Sequence, residues 1–488
     1  MAINTADWPY HLRVPVEYVP SEATAGQMLL LTEKVIEKVP QMLQDVFWRN
    51  VKNGGGDIRL CENDDGTGQL PIEVTLCDTV SRKLIIWYRT PTFTGVEILY
   101  LFYNNSSASL LPLTHDYGQY ATWQDFAFAS HNGIDDATGN IVFDQVGTLT
   151  PATGVFGESG GATFFDVAQT PQNYLEATIP GFQDGDHSFR AWHKRRTADS
   201  EGSVVGLYST TSSAEYKSLF IRSFETANVP EDSVSSWHRH ENSVFGYAVS
   251  SARYSVKVNQ WQRSVATMSL NERRIYLDDN DYNSSTELAP ANQNLHDIFA
   301  IGALRDRSPG GYFDGHIAGV WWEKSIPSEA KVNTEYANQS NNTSFYGEPE
   351  FYKNGQRLHV FSGAVSLGAT TVGESYKRSM LTANASISAS TAGSSLKRVS
   401  VNAAAKLKAV VTGRASKKAQ LAGSASINTV AQSSFTKKSI LSGIASIKTF
   451  LTSRFYNKAD NVETHTITIQ GQLRESIEVK GFVNTNRN

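Results

Sequence analysis

From Phe361 onward the apolar positions of this 488-residue chain fall into a twenty-residue repeat that runs without a gap to residue 460. Position 1 of the five units holds Phe361, Leu381, Val401, Leu421 and Leu441, and position 7 holds Leu367, Ile387, Leu407, Ile427 and Ile447. Position 3 is always Gly or Ala, and position 5 is Val365 followed by Ala in the other four units. This spacing of two predicts a strand over positions 1–7, small in the middle and large at both ends, with a turn at the Gly or Ser of position 13. Twenty residues are too few to bury a core alone, so the units are expected to stack on each other or on copies from other chains as an elongated β shaft. After them, "THTITIQGQLRESIEVKGFV" alternates again and reads as terminal strands capping the stack.

The first 115 residues are also strand-like: "YHLRVPVEYV" alternates, and "GDIRLCENDDGTGQLPIEVTLCD" reads as strand, turn, strand. One helix is expected at "VPQMLQDVFWRNV", with Pro40 suited to its first turn. Between residues 116 and 345, "HSFRAW", "RSVATM" and "HIAGVW" show the period of two of strands with one buried face. Turns recur there at the spacing expected of a β-sandwich.

Two resemblances sharpen this. The series "GGGDIRL", "LPIEVTL", "LIIWYRTP" and "EILYLFYNN" resembles a domain of unknown function with G-G-D-I-R-F, L-P-Y-E-I-E, V-W-V-K-V-P and L-Y-Y-G-N motifs, which often precedes a concanavalin A-like module. Asn104 stands where that ending has Gly, and the resemblance implies no enzymatic activity. Downstream, Phe164, Phe165 and Asp166, Trp192, Trp261, "IYLDD" with Asp279 in place of Gly, Gly315 and Ile317, and "SIPSEAKVNTEYAN" resemble in order the laminin-G-like, concanavalin A-like lectin/glucanase fold. This implies a sandwich of two antiparallel sheets in which Trp192 and Trp261 are core.

Composition agrees with a globular, strand-rich chain: 40% hydrophobic, 19% charged and 11% aromatic residues. The net charge of −4 hides an asymmetry, because residues 361–460 carry 14 Lys and Arg against 2 acids, a net +12, and the remainder is −16. Position 18 of every repeat is basic: Arg378, Arg398, Lys418, Lys438 and Lys458. Such a ladder keeps repetitive strand edges from sticking to one another, or it meets an acidic polysaccharide. Nucleic acid is not expected, since aromatic residues are sparse there and no recognition motif is present. No basic segment followed by an apolar run opens the chain, and no apolar run is long enough to span a membrane, so neither export by a signal peptide nor membrane insertion is expected. A hairpin at "NDDGTG" sets Leu70, not Cys77, opposite Cys61, which disfavours a disulfide.

Candidate chemistry is sparse. A glucanase on this fold needs an E-x-D-x-x-E strand; the nearest string, "ENDDGT", ends in Thr67 and lies outside the sandwich. No G-x-S-x-G nucleophile elbow, P-loop or C-x-x-C pair is assigned, and the protein is read as not an enzyme. His238 and His240 share a strand face of the kind some zinc sites use. Asp279, Asp281 and Asn283 alternate as oxygen ligands for calcium, the one cofactor considered. Trp237, Tyr312, Trp321 and Trp322 are the candidate sugar-stacking rings.

The reading is therefore all-β: a β-rich domain over 1–115, a concanavalin A-like sandwich over 116–345, a linker over 346–360, five repeats over 361–460 and terminal strands over 461–488. It points to a bacteriophage virion protein, a tail fibre, spike or capsid fibre, made in the host cytoplasm and binding host-surface polysaccharide. Other virion proteins and copies of itself, a trimer favoured, are the expected partners. A purely architectural decoration or cement protein and a cellular adhesin are the alternatives.

Overall fold

The computed structural model describes residues 3–362 except 96, 183–184, 201, 212–215, 223–230, 240–246, 253–254, 270–271, 279, 286–295 and 306–308; from 365 to 480 it describes the strands alone. It forms two compact units, one of residues 1–8, 13–38 and 48–349 and the other of 9–12, 39–47 and 350–488. The boundary read near residue 115 falls inside the first unit.

That unit is built around two antiparallel sheets. One has eight strands, with His187–Arg195 between Gln262–Met268 and Gly315–Glu323, and with Ala162–Phe165 and Phe126–Ser130 also paired to the last. The other has seven, with His296–Ile301 between Gly202–Tyr208 and Tyr174–Phe182. Phe128, Phe189, Leu207, Phe299, Ile317 and Trp322 form the core between them.

The eight-stranded sheet is covered on its other face as well. Trp192 and Trp321 pack there with Trp123, Trp87, Leu30 and Met28 in a second core, beneath a three-stranded antiparallel sheet of Thr24–Thr32, Lys83–Phe93 and Ile72–Asp78. Every residue of His187–Arg195 except Lys194 is consequently buried. The alternation in "HSFRAW" predicts one wet face; here the polar alternates Ser188 and Arg190 lie under protein instead.

Charges that enter such a layer must be paired. Arg190 bridges Glu323 and, at 3.3 Å, Glu335; Arg263 also binds Glu335, and Lys331 reaches Glu323 at 3.1 Å. Burial alone would raise the Glu323 carboxyl, but the charges of Arg190 and Lys331 outweigh it and hold it below the ordinary value. This network fastens the helix Glu329–Ser340, whose first turn is capped by Ser328, to the sheet. The same helix and the short helix Asn342–Phe345 after it protect the edge of the three-stranded sheet: Asn338 exchanges two hydrogen bonds with the Leu30 backbone, at 2.6 and 3.0 Å, and Asn342 accepts from Thr32 N–H at 3.1 Å.

The helix expected after Pro40 is present as Gln41–Asn50. Asn104 has φ +70, the left-handed conformation that Gly adopts freely and that Asn tolerates better than most residues. Cys61 and Cys77 are free and buried, and burial pushes both thiols up to about 12.

In the second unit each twenty-residue repeat contributes one strand to each of two sheets, and successive units pair parallel with a register shift of one repeat. The strands occupy positions 5–12 and then 15 to position 2 of the next unit, as in Ala385–Ala392 and Ser395–Asn402. Positions 3 and 4 of each unit, within the strand expected over positions 1–7, lie outside the described residues. Among the described residues no helix is long and apolar enough to cross a membrane.

Candidate functional site

Two of the four rings predicted to stack on sugar are buried. Trp321 and Trp322 are each 3% exposed, which corrects their assignment: neighbours on a strand point to opposite faces, and here both faces are covered. Tyr312 is partly buried beside Tyr174, with ring centroids 6.0 Å apart. Trp237 lies on the strand Ser233–Arg239, with its side chain outside the described residues. Trp192 is core as expected, but Trp261 is only partly buried, with Lys194 Nζ 5.0 Å above its ring.

Asp279 lies outside the described residues, while Asp281 and Asn283 sit on Asn280–Ser285 opposite Tyr276 and Ile275, their side chains undescribed. His240 is likewise outside, as is the side chain of His238. Four rungs of the basic ladder are in parallel register, Arg378 with Arg398, Arg398 with Lys418 and Lys418 with Lys438, and Lys458 is outside.

A different set of residues converges on a cleft of about 410 Å³ in the first unit, between the three-stranded sheet and loops of the sandwich. Glu73 and Trp87 are cross-strand partners and so stand side by side on one face. His131 follows the strand Phe126–Ser130; its carbonyl accepts from Gly319 N–H at 3.0 Å. Gly319 has φ +46, and a Cβ there would come 2.5 Å from the Trp321 ring, so glycine is required at this bulge.

Glu73 Oε2 accepts from Trp123 Nε1 at 2.6 Å and from His131 Nε2 at 2.7 Å. The carboxylate therefore places a proton on Nε2 and turns Nδ1 away as the free nitrogen. Trp87 fixes the imidazole plane, stacked on it at 5.3 Å and 17°.

Opposite lies the loop between Thr150–Ala152 and Ala162–Phe165, carrying Phe156 and Glu158. A Cβ on Gly154 or Gly161 would meet Glu158 Oε1 at 2.0 Å, so both glycines make room for this carboxyl. Burial raises the Glu158 pKa above the ordinary carboxylate value, against the opposing pull of the Glu158 and Phe156 backbone N–H groups and of His131. Glu158 Oε2, His131 Nδ1 and Trp87 Nε1 are all buried without a hydrogen-bond partner among the described residues.

Sequence reading missed this cleft although it had quoted two of its walls: "LPIEVTL" carries Glu73 and "LIIWYRTP" carries Trp87. It also passed over G-E-S-G-G at residues 157–161, which has the G-x-S-x-G spacing. That loop leads into the strand Ala162–Phe165, whereas a nucleophile elbow requires a strand-to-helix turn. The spacing is therefore no elbow, and the serine, Ser159, is exposed.

No curated protein sequence matches the chain. Among solved structures, domain 4 of AbnA, an extracellular GH43 arabinanase from Geobacillus stearothermophilus solved with arabinotriose, is similar over 43% of this chain and 97% of that one, at 15% identity and TM-score 0.33. The binding domain of botulinum neurotoxin serotype D is similar over 44% of this chain and 51% of that one, at 11% identity and TM-score 0.34. A structure of botulinum neurotoxin type C, titled for its interaction with two ganglioside molecules, has 8% identity and TM-score 0.34 over the same shares. Residues 168–333 match the model of the concanavalin A-like lectin/glucanases superfamily.

Proposed function

We propose that this protein is a bacteriophage virion component, a tail fibre, spike or capsid fibre, whose sandwich-bearing unit binds host-surface glycans while the repeats serve as its shaft. The observation that carries glycan binding is the cleft beside the lectin-type module, where buried polar atoms without partners among the described residues meet an aromatic wall. The virion assignment is supported by the in-register repeat, in which each added unit extends both sheets by one rung. Stacked coils leave strand edges at their ends, which pairing with further copies or with another virion protein would close.

The test is binding of the labelled full chain to intact cells of a broad bacterial panel, with free oligosaccharides as competitors. Saturable binding that is displaced by a glycan is expected. Failure to bind any cell type removes receptor recognition and leaves an architectural virion role.

A further inference from the structure

The described cavities differ in what their polar atoms still need. A second one, of about 600 Å³, is lined by Arg89, Asp125, Glu323 and Lys331, but Arg89 is bound to Asp125 at 2.7 Å and Lys331 to Glu323 at 3.1 Å. These four charges already satisfy one another. The cleft of Glu73 and His131 is unlike it: of its lining residues, Trp87 has an indole N–H, Glu158 a carboxyl oxygen and His131 a ring nitrogen that are buried without a hydrogen-bond partner among the described residues.

These three atoms differ in kind. The indole N–H only donates, an ionised carboxyl oxygen only accepts, and the imidazole Nδ1 accepts while Nε2 holds the proton. A hydroxyl can do both, so a polyhydroxylated ligand can meet all three. A ligand carboxylate or sulfate can only accept, and would enter a lining that contains Glu73, Asp135, Asp136 and Glu158 and neither Lys nor Arg. The lysine beside the loop at Gly157, Lys83, is already bound to Glu33 at 2.7 Å.

We infer that this cleft is the saccharide-binding site of the chain and that it selects an uncharged, hydroxyl-rich sugar residue while excluding sugars that carry a carboxylate, sulfate or phosphate. The inference rests on the glycan-binding reading above and adds to it both a location and a rule of selection. Binding replaces the missing partners of Trp87, His131 and Glu158 with sugar hydroxyls, and the negative lining rejects anionic sugars.

The experiment measures the full-length protein against immobilised neutral hexose and N-acetylhexosamine oligosaccharides, sialylated glycans and uronic-acid oligomers, at low and physiological salt. Neutral glycans are expected to bind and anionic ones to be rejected. Glu158→Gln should weaken neutral binding about tenfold, the scale of one hydrogen bond to a charged group, with the melting temperature kept. Ser159→Lys, at an exposed lining position, should admit anionic glycans as salt is lowered. Equal binding of anionic and neutral glycans, or unchanged binding by both variants, overturns the inference and leaves glycan binding standing elsewhere on the chain. If no member of the set binds, the glycan-binding reading falls and the inference falls with it.

Discussion

Glu335 shows how much of this fold rests on single side chains. It is the common partner of Arg190 and Arg263, all three buried, and its removal leaves Arg190 with Glu323 alone and takes from Arg263 the carboxylate it binds. Glu335→Gln is expected to cost about 3–5 kcal/mol, read as a drop in the denaturant midpoint. An unchanged midpoint would mean that the cluster is hydrated. Trp321→Ala and Trp322→Ala should each cost about 3–5 kcal/mol if both rings are core, whereas either substitution at a solvent-facing sugar platform would be nearly neutral.

His193 sets a pH dependence. Burial, with the charge of Arg195 adding to it, lowers its pKa from 6.5 to about 3, and its Nε2 lies 2.7 Å from Ser264 Oγ. A base whose folded pKa is depressed binds its proton in the unfolded state first, so its contribution is complete above about pH 6.5. Stability should fall by roughly 1.4 kcal/mol per pH unit below that and level off near pH 3. Thermal melts of the wild type and His193→Gln from pH 7.5 to 5 check this, with the variant expected to show the flatter profile.

At the scale of elements, the covering of one sheet by another explains both what was legible and what was not. The alternation in "HSFRAW" and "HIAGVW" correctly announces strands, because pleating puts every second residue on one face. It cannot announce a second buried face, since Arg190 looks like a solvent-facing residue until its paired acids are in place. The edge of the three-stranded sheet makes a direct test. Asn338→Ala removes both side-chain hydrogen bonds to Leu30 and should cost about 2 kcal/mol. Hydrogen exchange at the Thr24–Thr32 strand should accelerate with it, and unchanged protection there would show that the edge needs no such cover.

For the whole molecule, the repeats predict modularity. Because each coil pairs only with its neighbours, deleting residues 401–420 should join in-register strands and leave the first unit's melting transition in place. Global unfolding of that variant would count against independent stacking. The repeat, the strand content and the sandwich were determined by the sequence alone, since they follow from local periodicity and from short motifs contiguous in the chain. The cleft was decided by tertiary structure: Glu73, Trp87, His131 and Glu158 come from four segments that meet only when the three-stranded sheet closes over the sandwich. Which tryptophans face solvent was decided in the same way. Burial depends on what covers a face, and no local pattern encodes the covering layer.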